Sequence, residues 1–209
     1  MMTTDEMTSP RIKGVPLFSI FMGLCAALVF KFEAVGIALQ YDRIAIAHGE
    51  IWRSITGHWT HWNFEHFLWC TVVFVGLGAV CEQKCRKGFL ITLLVAGLSI
   101  PAATWLIYPE MVLYRGLSGL GSSLFVFGLA IITGEKYRDR NWPGFVFAVT
   151  SGLFLIGKIT YEFVTGHTLF VDNTGVFAPA PLAHLVGAGV GLAMSMIFIS
   201  ENNNDTTTL

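Results

Sequence analysis

Six long apolar blocks, separated by shorter polar connections, dominate the 209-residue chain. Each block is close to the roughly 20 residues that a helix needs to cross about 30 Å of hydrocarbon. The alternating pattern of barrel strands, over about ten residues, does not occur. Because lipid cannot satisfy open backbone groups, the sequence predicts an all-α membrane protein with six spans. The blocks cover 15 to about 34, 64–81, 89–108, 116–133, 143–165 and 182–200.

Composition and charge support the same class. Hydrophobic residues make up 54% of the chain and charged residues 13%, and the mean hydropathy is +0.62. A soluble domain carries about 25% charged residues, so this chain has too few polar side chains to cover a globule. The net charge of −1 lacks the basic excess of nucleic-acid-binding proteins and excludes nucleic-acid partners. The four cysteines form no CxxC pair and are interpreted as small apolar packing residues, with no metal or cofactor.

Lys and Arg residues are distributed unevenly over the connections. Eight lie in the N-terminal tail and in the second-to-third and fourth-to-fifth connections, whereas three lie on the opposite side. By the positive-inside rule, both termini are predicted to be cytoplasmic. The chain then divides into a cytoplasmic tail (1–14), a membrane domain (15–200) and a polar C-terminal tail (201–209). About thirty residues join spans one and two on the outer side, and their Trp, Ile and Tyr content predicts a partly embedded loop.

Three polar side chains fall in the first turns of the even-numbered spans: His66, Ser118 and His184. These spans all run from the outside inward, so the three side chains are predicted to lie at a common depth below the outer surface. Polar residues within spans are costly and mark functional sites that face the bundle interior. A hydroxyl and an imidazole on separate helices are the minimum for nucleophilic catalysis, because the histidine accepts the serine proton during attack.

Glycines surround Ser118 in the segment YRGLSGLGSS. Gly116 and Gly119 remove side chains from the face around the hydroxyl and allow another helix to approach closely. The position of Ser118 near the start of span four also places unpaired backbone N–H groups beside it. Such N–H groups can hold a developing oxyanion.

A second glycine pair accompanies His184 in the segment PLAHLVGAGVG. Gly187 and Gly191 follow the histidine by three and seven residues, so they share its helix face and form a GxxxG pair. Spans four and six are therefore predicted to pack tightly, with Ser118 facing His184.

Together these motifs resemble the rhomboid intramembrane serine proteases, over roughly residues 36–200. The segment YDRIAIAHGEIWRSITGHWTHWNFEHFLW more narrowly resembles the rhombosortase branch, which is implicated in trimming GlyGly-CTERM sorting tails from exported bacterial proteins. The motifs at rhomboid spacing are GLSG at 116–119, Ala183-His184 with its glycine pair, Trp52-Arg53 in the outer loop, the histidine pair 61/66, and Glu82 twelve residues past Cys70.

The resemblance implies a six-helix rhomboid-like bundle in a bacterial inner membrane, with an active site toward the periplasmic side. It implies a nucleophilic Ser118, a general base His184 and no carboxylate as a third member. The oxyanion hole would combine the Ser118 amide with His66 and Cys70. Rhomboids generally carry Asn at the position of Cys70, and a thiol is a poor hydrogen-bond donor. His61 matches a histidine that braces the outer loop.

Span five carries two charged residues, Lys158 and Glu162, one helical turn apart. This spacing predicts that they pair with each other. Their depth in the span leaves a role in substrate handling as the alternative.

The sequence leaves three functions open. An endopeptidase would cleave the transmembrane anchor of a protein substrate, and a non-catalytic rhomboid-like protein would only bind such a segment. A haem or zinc protein would use His58, His61, His66 and His184, although the sequence contains no HExxH motif. The predicted partners are the lipid bilayer and a substrate's transmembrane segment, while the substrate's identity and the oligomeric state stay open.

Overall fold

The computed structural model describes residues 14–171 and 177–205, with side chains up to Ile199. Its architecture is a bundle of long helices with one two-stranded sheet at one end. In chain order the elements are α1 (Leu17–Lys31), α2 (Glu33–Leu39), β1 (Tyr41–Asp42), α3 (Arg43–Ala47), α4 (Arg53–Thr56), a 3-10 turn (Gly57–Trp59), α5 (Phe64–Lys84), α6 (Arg86–Ile107), β2 (Leu113–Tyr114), α7 (Ser118–Arg138), α8 (Trp142–Thr165) and α9 (Pro181–Asp205).

Five helices, α5 to α9, are each long and apolar enough to cross a membrane. The prediction of an all-α membrane bundle is therefore confirmed. The first predicted span differs, because α1 ends at Lys31 and α2 turns away from it by 113°. The first predicted block runs to about residue 34, but its helix ends after 15 residues, a rise of about 22 Å. Taken together, α1 and α2 are a candidate for the sixth span, broken at Phe32. The charged pair Lys31 and Glu33 flanks the break, where Phe32 adopts an extended backbone.

Polar side chains fix the ends of several spans. Asn63 caps α5 by accepting a hydrogen bond from the backbone N–H of His66 at 2.8 Å. Asn141 caps α8 by accepting from the N–H of Gly144 at 3.0 Å. Gly166 ends α8 in the left-handed region, with φ of 68°, which glycine adopts without steric cost.

The buried carboxylate of Glu82 joins the end of α5 to the start of α1. It accepts hydrogen bonds from the backbone N–H groups of Phe18 and Ser19, at 3.2 and 2.9 Å, and from the Ser19 hydroxyl at 2.9 Å. The first N–H groups of a helix have no hydrogen-bond acceptor within the helix. The carboxylate supplies that acceptor for α1 and so holds α1 beside α5.

The connection between α1 and α5 is folded against the segment that precedes α7. Strand β1 pairs antiparallel with β2, with Tyr41 opposite Tyr114. The side chain of Arg53 holds the connection together, since it pairs with Glu50 at 2.6 Å and donates to the carbonyl of Ile37 at 2.8 Å. The start of α7 is thus positioned by the long outer loop.

Backbone packs directly on backbone where α7 meets α9. A methyl group added at Gly187 would overlap the carbonyl oxygen of Gly119, and one added at Gly191 would overlap the carbonyl oxygen of Ser123. These contacts match the predicted close packing of spans four and six, and they fix the relative depth of the two helix starts.

Candidate active site

Ser118 and His184 line the same cavity, which has a volume of about 290 Å³. Ser118 is the first residue of α7, and His184 lies in the first turn of α9 and is buried. His66 and Cys70, from the first two turns of α5, line the cavity as well. The structure therefore places in one cavity the three side chains that the sequence predicted at one depth, together with Cys70 one turn along α5.

The neighbours of Ser118 and His184 touch across the α7–α9 interface. The position that a Cβ atom would take on Gly119 lies 3.1 Å from the carbonyl oxygen of Ala183. This contact is closer than ordinary van der Waals packing, so a larger residue at 119 would press on the backbone of α9 beside His184. The same glycine contacts the side chain of Ile100 in α6, which packs behind the site.

A strained turn precedes Ser118. Gly116 has a φ of +128°, which is unfavourable for any residue with a side chain. Its N–H donates to the carbonyl of Gly57 at 3.2 Å, and its own carbonyl accepts from the Tyr114 hydroxyl at 3.0 Å. A Cβ atom at 116 would lie 3.0 Å from Nε2 of His66. The glycine thus lets the chain turn tightly into α7 under the imidazole of His66.

The first turn of α7 supplies the backbone N–H groups that an oxyanion needs, because they have no acceptor within the helix. Cys70 is buried in α5 and lines the same cavity as Ser118. Cys70 therefore lies where the resemblance predicted an oxyanion donor, but it carries a thiol instead of the amide of Asn.

His66 has a defined tautomer. Its Nδ1 accepts a hydrogen bond from the backbone N–H of Trp62 at 3.4 Å, so Nε2 carries the proton. The ring stacks on Phe177 with centroids 5.2 Å apart. The Nε2–Cε1 edge of the ring lies against Gly116, two residues before Ser118, and borders the same cavity.

His61 lies outside the cavity lining and is buried between the outer loop and α5. Its carbonyl accepts from Arg115 at 3.0 Å, and its ring contacts those of His66 and Phe67. Arg115 also donates to Gln40 at 2.7 Å. These contacts tie the outer loop to the segment before Ser118, as a bracing role requires. Sequence reasoning did not single out Arg115.

Burial and the nearby charges of His66 and Arg115 lower the pKa of His61 to about 3. In the unfolded chain this histidine binds a proton near pH 6.5. The folded protein should therefore lose stability as the pH falls below about 6.5, by up to about 1.4 kcal/mol per pH unit for this residue. Thermal unfolding in detergent from pH 7.5 to 4.5 measures the slope. The variant His61→Gln should show a shallower slope, and an unchanged slope would contradict this assignment.

A carboxylate holds the imidazole of His184. Glu162 of α8 lies 2.8 Å from His184 Nδ1 through Oε2 and 2.7 Å from Lys158 Nζ through Oε1. The predicted Lys158–Glu162 pair is confirmed. The resemblance implied no carboxylate beside the histidine, whereas the structure places Glu162 of α8 in contact with His184 of α9. The only signal in the sequence was a charged pair deep in an apolar span.

The remaining histidine of the metal alternative lies apart from the cavity. Nε2 of His58 is 3.2 Å from the carbonyl of Gly97, and its ring packs edge-on against Tyr114. Within residues 14–171 and 177–205, no group of three or more His, Cys, Asp or Glu side chains is arranged as metal ligands.

Comparison with known families identifies the class. A family model described as Rhomboid domain matches residues 48–201, which is well over half of the chain. The chain belongs to the rhomboid family, whose members are intramembrane serine proteases. The predicted rhomboid resemblance and the assignment as a peptide hydrolase are confirmed. A search of curated proteins found no match to this chain.

Proposed function

We propose that the protein is a serine endopeptidase that cleaves transmembrane anchors with Ser118 as nucleophile and His184 as general base. The observation that carries the proposal is the shared cavity at the point where α7 and α9 meet backbone to backbone. A site built on rigid helices holds its reacting groups more accurately than one built on loops.

The chemistry follows from the two ring nitrogens of His184. Nδ1 is engaged by Glu162, so Nε2 is the atom that accepts the proton as Ser118 Oγ attacks the scissile carbonyl. The negative charge on the carbonyl oxygen is stabilised by backbone N–H groups at the start of α7 and by Nε2–H of His66. His184 then returns the proton to the leaving amine. A water molecule, deprotonated by the same histidine, hydrolyses the acyl-enzyme.

The substrate class we propose is the C-terminal GlyGly-CTERM type of sorting tail on exported proteins. The resemblance of the outer loop to rhombosortases supports this class, and so does the physics of the tail. A peptide bond within a helix is shielded, and paired glycines unwind easily because they have the largest backbone freedom. The Lys and Arg distribution supports cytoplasmic termini and an outward-facing site. The resemblance supports a bacterial inner membrane.

Purified protein in proteoliposomes tests this function. The substrate is a soluble reporter fused to a Gly-Gly motif, an apolar stretch and a basic tail, and a matched substrate carries Leu-Leu in place of Gly-Gly. We expect wild type to release the reporter from the first substrate at least about tenfold faster, because leucine stabilises the helix. Equal rates would contradict the specificity, and no cleavage of any transmembrane substrate would contradict the peptidase.

A second function is favoured by one observation, the thiol of Cys70 beside Ser118. A rhomboid-like protein with a weak oxyanion hole could bind transmembrane segments without cleaving them. Such a protein would capture the fusion and yield no product from wild type, with capture unchanged in Ser118→Ala. The peptidase predicts product from wild type and capture without product from the variant.

The variant Cys70→Asn should accelerate cleavage. An amide N–H is a stronger donor than a thiol, and one oxyanion donor is worth about 10²–10³ in kcat where it has been removed from a soluble protease. Allowing for the tight fit, we expect kcat to rise about tenfold with KM little changed. The control Cys70→Ala should stay within about threefold of wild type. A large loss in Cys70→Ala would show that the thiol itself stabilises the oxyanion.

A further inference from the structure

A buried ion pair on α8 contacts the imidazole of the proposed general base. The carboxylate of Glu162 uses one oxygen for Lys158 and the other for His184. The side chain of Glu162 is 1% exposed and that of His184 is 8% exposed. A buried carboxylate is costly unless each oxygen has a partner. Here Lys158 and His184 supply one partner each.

The contact fixes which nitrogen of His184 carries the proton. An ionised carboxylate can only accept hydrogen bonds, so Nδ1 must be the protonated nitrogen in the 2.8 Å contact with Glu162. Nε2 then keeps its lone pair, which is the form that can take the proton of Ser118. Lys158 Nζ lies farther from Nδ1, at 3.3 Å, and donates to Glu162 at 2.7 Å.

The charges of the group balance during the reaction. At rest Lys158 compensates Glu162, and His184 is neutral. When His184 takes the serine proton, the new imidazolium lies against Glu162 while the oxyanion carries the matching negative charge. A fixed carboxylate in a water-poor site stabilises that imidazolium without reorganising. Lys158 holds Oε1, so Oε2 stays directed at the ring.

We propose that Glu162 is a positioning residue that sets the tautomer and orientation of His184, and that Lys158 holds Glu162 in place. The site is then a Ser–His–Glu triad with an anchoring lysine, in place of the dyad that the resemblance implied. This inference rests on the proposed function, since it concerns how His184 activates Ser118.

A merely structural role makes a different prediction. Helix α8 is the least buried of the five spans, so Glu162 and Lys158 could serve only to attach it to α9. Loss of an attachment would lower thermal stability and raise KM. Loss of the positioning carboxylate would lower kcat and the reactivity of Ser118. Thermal stability and KM would stay nearly unchanged.

The rate at which a fluorophosphonate probe modifies Ser118 separates these roles. We expect Glu162→Gln to lower the second-order labelling rate and kcat about 10²–10³-fold, somewhat less than loss of the triad aspartate costs in soluble proteases. KM and the unfolding temperature should stay close to wild type. Lys158→Met should lower the labelling rate about tenfold.

Two further variants keep the test decisive. The matched control is Glu135→Gln, which breaks the Lys84–Glu135 pair of 2.6 Å at the opposite end of the bundle and should leave labelling unchanged. If Glu162→Gln alone is unstable, the double variant Lys158→Met/Glu162→Gln removes both charges and should show the same loss of labelling.

The outcomes are distinguishable. In one outcome, wild-type labelling disappears in Ser118→Ala, but Glu162→Gln is labelled within about threefold of the wild-type rate. This result overturns the role of Glu162 and leaves the proposed peptidase activity intact. A labelling loss that merely follows a lowered unfolding temperature also overturns it. A wild-type protein that is not labelled at Ser118 overturns the proposed function and this inference with it.

Discussion

Replacing Ser118 with alanine is expected to lower kcat for the transmembrane substrate by about 10⁵–10⁶, and His184→Ala should cost nearly as much. The two side chains act in one step, since the hydroxyl is a weak nucleophile until the imidazole takes its proton. In soluble serine proteases, removing both members costs about as much as removing one. The double variant should therefore be no slower than either single variant, as measured by product formation in proteoliposomes.

Two matched controls belong to this experiment. Ser151→Ala removes an exposed hydroxyl on α8 that donates to its own helix, and His48→Ala removes an exposed histidine of the outer loop. Both should retain wild-type rates. Losses that multiply in the double variant would show that Ser118 and His184 act independently and would contradict a shared proton transfer.

Alanine at both Gly187 and Gly191 should lower cleavage by about 10³-fold or more. Each added methyl group would overlap a backbone carbonyl of α7, which cannot rotate away as a side chain could. The helices must then separate by about 1 Å or more, and a displacement of that size costs about 10² in rate when it misplaces reacting groups. The unfolding temperature should fall as well, because this interface holds the bundle together.

Gly189→Ala is the control for this pair. It lies on the same helix between the two glycines, and no atom lies within 4 Å of its Cβ position. It should keep wild-type activity and gain slightly in helix propensity. If the Gly187/Gly191 double variant were as active as Gly189→Ala, the close α7–α9 contact would not position the site.

The sequence predicted most of the site because its signals are local. Apolar blocks of the right length indicate spans, and a glycine three residues from a polar side chain indicates which helix face packs. These local rules are enough to predict that Ser118 and His184 lie at one helix interface. His66 was predicted from its place in the first turn of span two, whereas Cys70 entered only through the resemblance.

The missed features depend on tertiary contacts. That Glu162 faces His184 depends on how α8 rotates against α9, and no pattern within either segment fixes this rotation. The pairing of Lys158 with Glu162 was predictable from their one-turn spacing, but not the third partner. Similarly, the chain bends by 113° between Lys31 and Glu33. Composition alone does not show that this charged pair ends the helix within an otherwise apolar block.

Mass-spectrometric mapping of the fluorophosphonate adduct decides whether His184 activates Ser118 across the α7–α9 interface. We expect the wild-type protein in membranes to carry the phosphonate on Ser118 alone, and His184→Ala to carry almost none under the same conditions. An adduct on another residue, or equal modification of Ser118 in His184→Ala, would contradict the proposed reaction.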